Sequence, residues 1–220
     1  MSLRPTPLSD ELFDYLLAQG TPLDPVQSAL IAETAEFGAT AQLQISPDEG
    51  RFLTLLCRLI GARNVLEVGT FTGFSALALA YGVGPEGRLT CCDISEEWTQ
   101  IARRHWDAAG VSDRIELRLG DALQTLRAMP AEPAYDLAFI DADYPGYPAY
   151  WEEVVPRVKT GGVILVDNVL YHARVIDPAD RHANTEAVRV LNDRIRADER
   201  VEATMLSIAD GLTLARKITA

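Results

Sequence analysis

The chain has 220 residues, 48% of them hydrophobic, which is enough to build one core. Its 20 basic residues against 32 acidic ones give a net charge of -12. That balance lacks the basic footprint of a nucleic-acid binder and is repelled by anionic membrane surfaces, so a small, neutral or metal-chelated substrate fits better.

No run approaches the ~20 apolar residues of a membrane span, and Met1 to Asp10 holds no apolar stretch of leader length. A soluble, cytoplasmic protein is expected. Cys57, Cys91 and Cys92 are odd in number and form no C-x-x-C pair, so they read as reduced, structural thiols.

In chain order, Leu8 to Gln19 predicts a short helix, capped by Ser9 or Asp10 and stopped by Gly20. Asp24 to Glu36 predicts a second, with Pro25 in its first turn, where a missing N–H costs nothing. Gly38 to Ser46 reads as a loop. Pro47 to Ile60 reads as a third helix with Leu53, Leu56, Cys57 and Ile60 on one face.

From Asn64 strands and helices alternate. Strands are expected at 64–68, 88–93, 114–119, 136–141 and 162–166, and helices at 73–82, 96–109, 121–128 and 147–158. Repeated strand–helix–strand units imply a parallel sheet with right-handed crossovers. A last helix at 184–197 precedes strands at 202–208 and 211–217, and Asp210-Gly211 between them signals a tight antiparallel hairpin. The expectation is a single α/β domain over 1–220, with residues 1–60 as a helical cover over the active-site end and 61–220 as a Rossmann-like three-layer core.

Two apolar strands end in acids. Leu137-Ala138-Phe139-Ile140 leads to Asp141, and Val163-Ile164-Leu165-Val166 leads to Asp167-Asn168. Ligands of open α/β sheets bind outside the carboxyl ends of strands, so these three residues present oxygen donors to one crevice. Hard oxygens suit Mg²⁺, Mn²⁺ or Ca²⁺ rather than zinc. Asx residues after strands also serve as ordinary turn caps, and the case for a metal rests on three of them converging.

The first strand runs into Gly69-Thr70-Phe71-Thr72-Gly73-Phe74-Ser75. Gly69 permits a tight turn and Gly73 a close helix start. The spacing is not the G-x-G-x-x-G of dinucleotide binders. Glu67 beside the turn would repel a pyrophosphate but hold an ammonium group, while Ser75 and the helix N-terminus take a carboxylate. Together they fit the amino-acid end of S-adenosylmethionine. Asp93, ending the second strand, is placed to bond ribose hydroxyls, and Asp121-Ala122 lies where the adenine edge would be.

These runs resemble the cation-dependent class I O-methyltransferases of the caffeoyl-CoA and catechol type, small bacterial members included. The matching stretches are Glu67 to Ser75, Phe139-Ile140-Asp141-Ala142-Asp143, Asp167-Asn168-Val169-Leu170 and Asp210 to Ala215. The resemblance spans about Leu43 to Lys217. It implies a seven-stranded, mostly parallel sheet with a C-terminal antiparallel hairpin, and a homodimer. It also implies metal binding by Asp141, Asp167 and Asn168, and cofactor contacts from Ile45, Glu67, Gly69, Thr70, Ser75, Asp93, Ala122, Asp143 and Tyr150. The acceptor it implies is a small vicinal dihydroxy-aromatic compound.

Three positions depart from the family pattern: Leu43 replaces a methionine, Phe74 a tyrosine, and Tyr144 the lysine taken there as general base. Tyr144 as a phenolate and His172 are the two candidate catalytic groups, and Tyr171 reads as a wall of the aromatic pocket. Two further readings stay open on sequence alone. One is a cofactor-binding relative that lost catalysis with the lysine; the other is an NAD-dependent oxidoreductase.

Overall fold

The computed structural model describes residues 6–219, so the first half of the stretch Met1 to Asp10 lies outside the described residues. Seven strands form one sheet: β1 Asn64–Val68, β2 Arg88–Asp93, β3 Ile115–Leu119, β4 Tyr135–Ile140, β5 Val158–Val166, β6 Val201–Leu206 and β7 Leu212–Lys217. Their order is β3-β2-β1-β4-β5-β7-β6. β1 to β5 run parallel, and β7 pairs antiparallel with both β5 and β6. The order reverses at β1, which lies between β2 and β4. A crevice at the carboxyl ends of strands is expected at such a switch point.

Among the described residues there are eight α-helices: α1 Asp10–Gln19, α2 Pro25–Ala35, α3 Pro47–Ile60, α4 Phe74–Val83, α5 Glu96–Ala108, α6 Ala122–Ala128, α7 Tyr147–Arg157 and α8 Ala183–Ala197. Alternate strand residues feed opposite faces, as a period of two requires. Val65, Leu89, Leu137, Phe139 and Leu165 join α2 to α5 in one core. Leu66, Val68, Ala138, Ile140 and Ile164 join α6, α7 and α8 in the other. Burial on both faces explains why these strands read as continuous apolar runs. Cys57, Cys91 and Cys92 are free and buried, and burial pushes the Cys57 thiol up to about 12.

The structure departs from the sequence expectation in four places. The loop at 38–46 holds a 3-10 turn over Gly38–Leu43. β5 begins at Val158 rather than Gly162; Gly161 takes φ +84° and the pairing with β4 shifts register between Tyr135 and Leu137, so the glycine pair bends a strand instead of ending a loop. Residues Ser207 to Gly211 form a five-residue connection rather than a tight two-residue turn. There Ala209 and Gly211 take positive φ, and the Gly211 N–H donates to the Ile208 carbonyl at 2.8 Å. Finally, α3 lies along α4 on one face of the sheet and α1 packs on α3; only the stretch Gln42 to Glu49 reaches the active-site end.

Candidate active site

The carboxyl ends of β1, β2, β4 and β5 open into one cavity of about 590 Å³, lined among others by Glu49, Gly69, Ser75, Asp93, Asp141 and Asn168. That volume is within the range of small-molecule sites.

Half of the cavity is built by the turn after β1. Gly69 takes φ +92°, and a Cβ there would sit 1.8 Å from the Asp141 carbonyl oxygen. The turn and the β4 end are therefore in backbone contact, which only glycine permits. Gly73 starts α4 at φ +89°, and its carbonyl accepts the Trp106 indole N–H at 3.1 Å.

Glu67 is fully buried. Its Oε2 accepts the Thr70 hydroxyl at 2.8 Å, while Oε1 has no partner. Burial pushes this carboxyl up to about 7, and the nearby Ser75 and Thr70 hydroxyls pull it back only in part. An orphaned buried carboxylate oxygen at this turn suits a ligand ammonium group. Asp93 accepts the Thr70 and Phe71 amides at 2.8 Å each on one oxygen and the Ser95 amide at 2.7 Å on the other. Sequence alone assigned Asp93 to ribose hydroxyls; here it ties the β1 turn to β2 and lines the cavity.

Asp121 caps α6 by accepting the Gln124 amide at 2.7 Å, with Ala122 on the wall beside it. Asp143 accepts the Gly146 amide at 3.0 Å and the Tyr150 hydroxyl. Ile45 is buried against the same cavity. Eight of the nine expected cofactor residues thus line one cavity, and the ninth, Glu67, is buried two residues before Gly69.

The other half is the strand-end pair. The Asp141 amide donates to Val68 and the Asp167 amide to Ile140, so each aspartate leaves its strand beside the neighbouring one. Asn168 takes φ +59°, tolerable for asparagine, and its amide nitrogen reaches Asp141 Oδ1 at 3.1 Å and Asp167 Oδ2 at 2.8 Å. Burial raises Asp141 well above the carboxylate range and Asp167 to about 7.

Glu49 joins them. It is fully buried in the first turn of α3, and neither oxygen has a hydrogen-bond partner. Burial first, then the negative charges of Asp167 and Asp141, push it up to about 10. Among the described residues no three His, Cys, Asp or Glu side chains are already drawn together as a metal cage.

Tyr144 stands at the rim, its ring 4.7 Å from that of Tyr171 and 5.3 Å from that of Tyr147. Burial and the charge of Asp141 move its phenol upward, away from the phenolate form. His172 lies in a run of three left-handed residues, Tyr171 to Ala173. Its amide donates to both Asp210 oxygens at 2.9 and 2.8 Å, and its exposed ring nitrogen lies 3.4 Å from the same carboxylate.

Sequence reasoning missed Glu49, Asp210 and the edge-on pair Phe71–Trp98, whose centroids are 4.8 Å apart on the cavity wall. For Glu49 a signal was available. Ser46-Pro47-Asp48-Glu49 has the spacing of a capping box, yet Glu49 forms no cap and faces the acids instead.

A sheet of this topology, with a buried acid under a glycine turn and an acid ending the next strand, defines a class I S-adenosylmethionine-dependent methyltransferase. The sequence pattern of the O-methyltransferase family matches residues 21–218, and the chain belongs to that family. It is 39% identical to "Probable caffeoyl-CoA O-methyltransferase 1" of Dictyostelium discoideum, over 96% of this chain and 93% of that one. Its fold matches the O-methyltransferase of Bacillus cereus in complex with SAH (TM-score 0.84, 34% identity, 93% of this chain and 96% of that one). It also matches TomG of Streptomyces achromogenes, involved in tomaymycin synthesis and solved with SAM (TM-score 0.87, 30% identity, 95% and 96% covered). The protein is thus a SAM-dependent O-methyltransferase, and the oxidoreductase reading falls. Among the described residues no helix is long and apolar enough to cross a membrane.

Proposed function

We propose that this O-methyltransferase acts on one hydroxyl of a small vicinal dihydroxy-aromatic acceptor and requires a divalent cation of the Mg²⁺, Mn²⁺ or Ca²⁺ type, held by Asp141, Asp167 and Asn168. The observation that carries the reading is the uncompensated acid at the β4 and β5 ends. Glu49 and Asp167 are buried and Asp141 is half-buried, each pushed upward, with no basic side chain among the described residues bonded to any of them. Buried charge without a partner is costly, and a cation answers it. The Asn168 amide already touches both aspartates through nitrogen; oxygen and nitrogen of an amide are nearly the same shape, so its oxygen fits the same place.

When bound, such a cation supplies Lewis acidity to a neighbouring hydroxyl and a fixed point for two adjacent oxygens. The chain supplies the rest. Glu67, Thr70 and Ser75 hold the amino-acid end of the methyl donor, with Ile45 and Gly69 against it. Asp93, Ala122, Asp143 and Tyr150 line its nucleoside end. Tyr144 and Tyr171 wall the acceptor ring.

Tyr144, neutral by its surroundings, serves as wall and hydrogen-bond donor rather than base. His172 remains the candidate base at the rim. Two copies of the chain form a homodimer in this reading, and the protein works in the cytoplasm without nucleic-acid or membrane partners. Methyl transfer to catechol with Mg²⁺, and again in excess chelator, tests the proposal. Loss of transfer in chelator, restored by Mg²⁺, is expected; undiminished transfer removes the cation from the reaction.

A further inference from the structure

Seven carboxyl side chains line the cavity, Glu49, Asp93, Asp121, Asp141, Asp143, Asp167 and Asp210, and among the described residues no lysine or arginine does. Three stand on the side of the cavity assigned to the cofactor: Asp93, which holds the β1 turn, Asp121, which caps α6, and Asp143, bonded to Gly146 and Tyr150. That leaves Glu49, Asp141, Asp167 and Asp210 on the acceptor side. A bound dication offsets two charges and leaves Asp210 facing the acceptor.

The cations nearby do not reverse this sign. His172 is the one lining side chain able to carry a positive charge, and its ring nitrogen is already 3.4 Å from Asp210. Arg174 lies over the Tyr171 ring at 5.2 Å from its centroid, with its guanidinium bonded to Asp180. Beyond the cavity the whole chain carries -12, and a field of one sign steers charged ligands as they approach a cleft.

We infer that the enzyme selects its acceptor by charge: an ortho-diphenol with a cationic side chain is preferred over a neutral one, and anionic acceptors, above all a coenzyme A thioester, are rejected. The inference deepens the ortho-diphenol reading and rests on it. It is not what the names of the similar proteins suggest, because a thioester of coenzyme A brings several phosphate charges to a rim that offers no basic side chain among the described residues. Tyr144 and Tyr171 offer the acceptor ring aromatic walls, so discrimination falls on the substituent that reaches Asp210.

The test uses the full chain with Mg²⁺ and catechols that differ only in the group para to one hydroxyl: aminoethyl, ethyl or carboxymethyl, with caffeoyl-CoA as the fourth acceptor. The expected kcat/KM falls roughly tenfold per unit of added negative charge, about 1.4 kcal/mol each, and the thioester falls furthest. Raising salt draws the three small acceptors together, because screening shortens the reach of the field. Asp210→Asn keeps an acceptor for the His172 amide and is expected to narrow the cation-over-anion ratio several-fold.

Equal or better turnover of the carboxymethyl compound or the thioester overturns the inference while leaving the diphenol reading intact. Failure of every diphenol to react sinks that reading instead. Charge selection is then judged by calorimetric binding of the same small compounds to the SAH-loaded protein: the order cation, neutral, anion supports it, and tightest binding of the anion refutes it.

Discussion

Glu67 makes cofactor binding proton-linked. In the free protein burial raises its carboxyl from 4.5 to about 7, which amounts to about 3 kcal/mol favouring the protonated form. A folded-state value above the unfolded one gives stability that is full below about pH 4.5 and lost as pH rises through about 7. An ammonium group on the orphaned Oε1 favours the ionised form, so binding expels the proton. The expected release on binding is about 0.9 proton at pH 6, about 0.5 at pH 7 and about 0.1 at pH 8.

Calorimetric titration with SAH in buffers of different ionisation enthalpy reads this number directly. Glu67→Gln supplies the blank for the ligand's own groups, and should bind more weakly with a release that no longer varies across this range. The melting-temperature gain from SAH should also grow between pH 5 and 7 in the wild type. Identical proton release by wild type and Glu67→Gln near pH 6 would refute the reasoning, because the buried carboxyl would then not be what the ammonium meets.

Three further outcomes follow from the site. Glu49→Gln replaces an acid pushed up to about 10 by a neutral group, so the metal-free melt should change little near pH 7 while Mg²⁺ affinity by calorimetry falls roughly 10–100-fold, as for other groups supporting a metal site. Asp141→Ala should reduce methyl transfer to catechol far more than Tyr144→Phe, which is expected to lose less than about tenfold, since a missing base would cost ~10²–10⁴; equal losses would restore Tyr144 as the base. Gly69→Ala drives a Cβ into the Asp141 carbonyl at 1.8 Å and should lower the melting temperature and abolish SAH binding together, the strained backbone alone costing about 1–3 kcal/mol.

The doubly covered strands were the most legible part of the chain. β1 and β2 fall where continuous apolar runs place them, and α3 spans Pro47–Ile60 as its apolar stripe and Gly61 stop require. Asp141, Asp167 and Asn168 were legible for the same reason: polar residues that break long apolar runs at strand ends.

Long-range geometry was not legible. The Gly161-Gly162 pair looks like a loop until β4 is seen to pair across it through a register shift. Asp210-Gly211 carries a hairpin signal, but Asp210 is drawn to the His172 amide, 38 residues earlier in sequence, and the connection lengthens to hold it. Glu49 looks like an ordinary first-turn acid favoured by the helix dipole. Only the tertiary packing of α3 against α4 turns it inward onto the aspartates.

The central claim is a single divalent cation at Asp141, Asp167 and Asn168, and Mn²⁺ binding followed by electron paramagnetic resonance tests it without turnover. One Mn²⁺ per chain is predicted for the wild type, displaceable by Mg²⁺, with none retained by Asp141→Ala at the same concentration. Absence of a wild-type site, or an undiminished site in Asp141→Ala, would contradict the account.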